Sequence, residues 1–67
     1  MMYTITEIAD TLELDRHVIQ YEILRTGLRE SRRVGKARVF SEDLIYRLVE
    51  TLEERGVSVD GRKVRKF

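Results

Sequence analysis

Residues 6–27, TEIADTLELDRHVIQYEILRTG, carry two helical patterns with a short interruption between them. Thr6 precedes EIADTL, in which Ile8, Ala9 and Leu12 recur at helical spacing and Glu7 and Asp10 sit in the first turn, where the helix dipole favours anions. Glu13 and Leu14 interrupt the pattern. Asp15 then caps a second helix, RHVIQYEILRT, with Leu14 placed to staple against Ile19, and Gly27 closes it. Two short helices joined by a few residues predict a helix-turn-helix.

With Ile19 and Ile23 turned to the core, a step of about 100° per residue puts His17, Gln20, Tyr21 and Leu24 on the outward face of the second helix. Asp15 at the cap leaves backbone N–H groups at the positive helix end, which together with Arg16 suits a phosphate. That face is predicted to meet DNA, with Gln20 suited to an adenine edge.

The segments RRV and ARVF flank Gly35-Lys36 and predict a β-hairpin whose tip carries Arg32, Arg33, Lys36 and Arg38. Beside a helix-turn-helix, such a hairpin is a wing, placed to lie along a phosphate backbone or in the minor groove. Ser41 caps a third helix, EDLIYRLVETLEER, with Phe40 positioned to staple to Ile45. Leu44, Ile45, Leu48, Val49 and Leu52 form its apolar stripe, and Gly56 ends it. The fold class predicted is mainly α with a small β-hairpin wing, a winged helix-turn-helix over residues 1–56. Residues 57–67, VSVDGRKVRKF, read as a basic tail: a second hairpin turning at Asp60-Gly61, a disordered arm, or a strand that pairs with an edge of another molecule. Arg62, Lys63, Arg65 and Lys66 are its candidate contacts to DNA or protein.

The charge is unevenly spread. The net charge is +1, yet residues 31–40 hold four cations and no acid, and residues 57–67 hold four cations and one acid. Positive charge confined in this way makes a local field on a nearly neutral body and favours a polyanion on one face. At 67 residues the chain is one domain at most and buries roughly 60% of its unfolded surface, too little for a deep catalytic cavity. It has no cysteine, so no disulfide or thiolate metal site. No apolar run approaches the ~18 residues of a membrane span, and MMYTITEIAD lacks the regions of a signal peptide, so a cytoplasmic protein is expected.

His17 is the only histidine, and a metal site would need several carboxylates beside it; none is expected. Glu42-Asp43 form a carboxylate pair in the first turn of a helix, where dipole compensation accounts for them. Thr4, Ser41 and Ser58 have no histidine placed to activate them and no nucleophile-elbow motif. The chain is read as a non-enzyme without cofactors.

In the order of its elements the chain resembles the MerR-like winged-helix domains, and among them the small phage excisionases, or recombination directionality factors. The resemblance covers about residues 3–52 and rests on YTITEIADTLELDRHVIQY, RVGKARVF and FSEDLIYRL. It implies that Arg16, His17 and Gln20 enter or border the major groove, that Tyr21 supports a backbone contact, and that Lys36 and Arg38 lie on the wing. Asp15 stands where many relatives have Ser, and Glu22 where an aromatic residue is common. In MerR regulators a dimerisation helix and effector domain follow the closing helix, whereas here about ten residues follow it, so ligand-responsive control is not expected. The ten arginines against three lysines fit a high-GC genome such as that of an actinobacterial phage.

The function expected is sequence-specific binding of double-stranded DNA. One module buries only ~600–1,000 Å², so several neighbouring copies are expected to bind cooperatively. The resemblance adds that the array bends DNA and lets a phage integrase excise a prophage. Two alternatives are a small MerR-like transcriptional regulator and, since fold does not fix function, a winged-helix protein-interaction module.

Overall fold

The computed structural model describes residues 1–67, which form four helices and a three-stranded antiparallel sheet. In chain order these are β1 (Met2–Thr4), α1 (Ile5–Leu12), α2 (Arg16–Thr26), β2 (Arg32–Val34), β3 (Ala37–Ser41), α3 (Glu42–Glu54) and α4 (Gly61–Val64). The sheet order is β1-β3-β2. The hairpin anticipated from the sequence is β2 and β3. Strand β1 was not anticipated; it pairs with the other edge of β3 in the register Met2↔Ser41, Tyr3↔Phe40 and Thr4↔Val39.

The cap of helix α1 lies two residues before the Thr6 cap read from the sequence. Thr4 is the N-cap: its hydroxyl accepts from the Glu7 N–H at 3.2 Å, and the Glu7 carboxylate accepts from the Thr4 N–H at 2.9 Å. This reciprocal pair satisfies two otherwise unpaired N–H groups and adds Ile5 to the buried face. Glu13 ends α1 in the left-handed region, at φ 54°, a conformation that normally favours glycine or asparagine. Asp15 caps α2 and Gly27 ends it at φ 72°, as the sequence predicts. Ser41 caps α3 by accepting from the Leu44 N–H.

The core joins the inner faces of α1, α2 and α3 to Phe40 of β3, with Ile8, Ile19 and Leu52 fully enclosed. Each such side chain stabilises the fold by about 1.5–3 kcal/mol relative to leaving it in water.

The last eleven residues correct the tail reading. They form no second hairpin and no free strand. Asp60 accepts from the Arg62 N–H at 2.9 Å and caps α4, so Asp60-Gly61 starts a helix rather than turning a hairpin. Val57, Val59, Val64 and Phe67 are half-buried against the core. The Phe67 ring meets the Tyr3 ring edge-on, with centroids 5.0 Å apart, and Lys63 forms an ion pair with Glu13. Residues 57–67 therefore pack as part of the same body. No helix of the protein is long and apolar enough to cross a membrane.

Candidate nucleic-acid interface

Arg16 and Gln20 of α2 come together with Lys36 and Arg38 of the hairpin around a cleft of about 290 Å³, whose floor includes Thr4, Ile5 and Thr6. Three cations and an amide line it, and no carboxylate does. Four of the predicted contacts, two from each element, thus converge on one place although they lie 16 or more residues apart in the chain.

The helix geometry accounts for the α2 half. Ile19, Glu22 and Ile23 are buried, so at about 100° per residue Arg16 and Gln20 fall on one flank, His17 and Leu24 on the outermost ridge, and Tyr21 and Arg25 on the other flank. Leu24 is 82% exposed and Tyr21 55% exposed, matching the outward face read from the sequence; Gln20 is half-buried in the cleft wall. His17 is exposed but lies outside the cleft lining.

At the N-terminus of α2 the expectation of free backbone donors needs correction. The Asp15 carboxylate accepts from the His17 N–H at 2.8 Å, so the cap itself satisfies that donor and places a negative charge there. Arg16, rather than the helix end, is the group suited to an anion at this point.

The hairpin half follows from a two-residue turn. Val34 pairs with Ala37, leaving Gly35 and Lys36 as the loop; Gly35 has φ 61° while Lys36 has no positive φ. That combination is the type II′ pattern, which needs glycine first and matches the strand twist. Arg33 lies directly opposite Arg38 across the ladder, and Arg32 opposite Val39. Side chains alternate between faces, so Arg33 and Arg38 share the face that carries Phe40 toward the core, and Arg32 lies on the other. The four hairpin cations are therefore not equivalent. Lys36 and Arg38 line the cleft, Arg33 sits across from Arg38 with Glu30 4.0 Å away, and Arg32 faces out behind the sheet.

The tail cations also separate. Lys63 is paired with Glu13, and its hydrogen bond and charge hold the Glu13 carboxyl below its ordinary range. Arg62 lies 3.6 Å from Asp60. Arg65 and Lys66 are exposed and make no ion pair.

Sequence reasoning missed Glu22. Its carboxylate is fully buried, accepting from Arg25 at 2.5 Å and 3.4 Å and from the Nε of Arg55, the residue capping α3, at 2.7 Å. The hydrogen bonds from Arg25, and next that from Arg55, outweigh desolvation and hold its pKa down to about 2. The Arg55 guanidinium also lies over the Tyr21 ring, 5.2 Å from its centroid. The departure of Glu22 from the aromatic residue common in the resembled family was visible in the sequence, but its partner Arg55 lies 33 residues away.

Comparison with known proteins finds no family model, no curated protein and no solved structure that matches this chain.

Proposed function

We propose that the protein is a winged helix-turn-helix that binds double-stranded DNA sequence-specifically, with α2 in the major groove and the β2–β3 hairpin as the wing. The carrying observation is the convergence of Arg16 and Gln20 with Lys36 and Arg38 around an acid-free cleft. Arginine and lysine suit phosphates, and a side-chain amide suits the paired donor and acceptor of an adenine edge.

Replacing Lys36 and Arg38 together with Ala is expected to weaken cognate and random duplexes alike and to lower the slope of log affinity against log salt by about two. A gel-shift salt series measures this, and an unchanged slope would remove the hairpin from the interface. Gln20→Ala is expected to cost roughly 1–3 kcal/mol on the cognate site alone. Equal losses on random DNA would make Gln20 a positioning contact.

Within this reading the excisionase role is the one favoured by the element order and the quoted motifs, with neighbouring copies on DNA and a phage integrase as partners. Footprinting on genomic DNA around an integration site tests it. Protection of adjacent repeats beside the recombination site supports excision, and protection at a promoter supports the regulator alternative.

A further inference from the structure

Helix α2 has two flanks, and only one of them faces the hairpin. An α-helix with its side chains is about 10–12 Å across, and the major groove is about 12 Å wide, so a helix lying in it presents both flanks to phosphate walls. On the flank away from the cleft stand Tyr21, Arg25 and Arg55.

We propose that Arg55, held by the buried Glu22 carboxylate and packed on Tyr21, is a second phosphate-binding point that grips a DNA phosphodiester on the groove rim opposite the hairpin; this rests on the duplex-binding reading above. Three observations carry it. The Nε of Arg55 is committed to Glu22 at 2.7 Å, while its two terminal nitrogens donate to no protein acceptor. Two guanidiniums share the one Glu22 carboxylate, which therefore cannot neutralise both, and the Arg55 side chain is still 35% exposed. Arg25 uses two of its nitrogens on Glu22 and also feels the charge of Glu54, which leaves Arg55 as the better donor.

The anchoring matters as much as the charge. An arginine free in solvent loses rotamer freedom when it binds, whereas Arg55 is already fixed by an ion pair on one edge and an aromatic ring on one face, with a planar fork left over that matches a phosphate. The tyrosine hydroxyl lies on the same flank. Lys36 is exposed and Arg38 half-buried, and neither is held by a carboxylate, so the two rims differ: one is met by cations without an ion-pair anchor and the other by one fixed on Glu22.

The test is a phosphate-neutralisation scan. A duplex selected from a random library is prepared with single methylphosphonate linkages, and affinities are measured for the unaltered protein, the Lys36→Ala/Arg38→Ala variant and Arg55→Gln, with folding checked by circular dichroism. The unaltered protein is expected to show two groups of sensitive phosphates, one on each side of the groove. The hairpin variant should lose one group and Arg55→Gln the other, with the salt slope lowered by about one in Arg55→Gln. A single group that vanishes in the hairpin variant overturns the proposal, as do two groups that both survive Arg55→Gln. Should Arg55→Gln fail to fold, Arg55→Lys keeps the charge beside Glu22 but replaces the fork by a point charge. A change of threefold or more in the penalty at the far-rim phosphates then supports the proposal, and an unchanged penalty overturns it. An unaltered protein with no salt-dependent affinity for any duplex overturns the duplex-binding reading itself, a result distinct from binding with hairpin-side phosphates alone.

Discussion

Deletion of residues 57–67 is expected to leave the remaining chain largely unfolded at 37 °C. Val57, Val59, Val64 and Phe67 each lie half-buried on the core. Half of the ~1.5–3 kcal/mol that full burial of one such side chain contributes, taken four times, is roughly 3–6 kcal/mol. A chain of this length has a total stability of only roughly 3–10 kcal/mol, so the loss is comparable to the whole. The lost contact of Phe67 with Tyr3 adds to it. Circular dichroism melts of the full and shortened chains measure the effect. A shortened chain that still melts cooperatively within a few degrees of the full one would show that the tail is an appendage.

Acid is expected to remove about 3 kcal/mol of stability through Glu22. Its folded pKa of about 2 lies below the ordinary value of 4.5. Above pH 4.5 the carboxylate is charged in both states, and the two arginine contacts contribute in full. As the pH falls from there toward 2 the unfolded chain takes up its proton first, and the stabilisation disappears. Urea unfolding at pH 7 and at pH 2.5 measures the difference. In Glu22→Gln the stability at pH 7 should already be low, because the buried ion pairs are gone, and its decline through this window should be much shallower. An equal decline in both proteins would place the acid sensitivity elsewhere. Glu13 is also held low by Lys63, but it is exposed and screened, so its share is small.

The parts of the fold that were legible in the sequence are those specified within a few residues. The Asp15 and Ser41 caps, the Gly27 stop and the Gly35-Lys36 turn are local signals with one physical meaning each, and α2, the hairpin and α3 follow from them. The Thr4 cap was also written locally, since Thr4 and Glu7 stand three apart, but Thr6 offered a second hydroxyl and hid it. Asp60-Gly61 is ambiguous by nature: an aspartate can open a hairpin turn or cap a helix, and what selects the helix is the packing of Val64 and Phe67 on distant residues. Strand β1 has only three residues and no periodicity to read; its pairing with β3 spans more than thirty residues. The candidate site divides in the same way. Exposure on α2 followed from helical angles, but the meeting of α2 with the hairpin and the capture of Glu22 by Arg55 are products of tertiary structure. The inequality of the four hairpin cations was accessible in principle, because the two-residue turn sets which residues oppose one another.

That opposition has a consequence for how the hairpin responds to its surroundings. Arg33 and Arg38 stand directly across the ladder, and like charges so placed destabilise a strand pair. This repulsion works against the pairing of β2 with β3, and Glu30, 4.0 Å from Arg33, offsets part of it. Any polyanion that neutralises the two arginines removes the repulsion, so part of its binding free energy is the tightening of the element it touches. Dissolved salt screens the same repulsion and so favours the free hairpin, even as, on the proposed reading, it weakens the attraction of the hairpin for a polyanion. Added electrolyte therefore pushes order and affinity in opposite directions at this one strand pair.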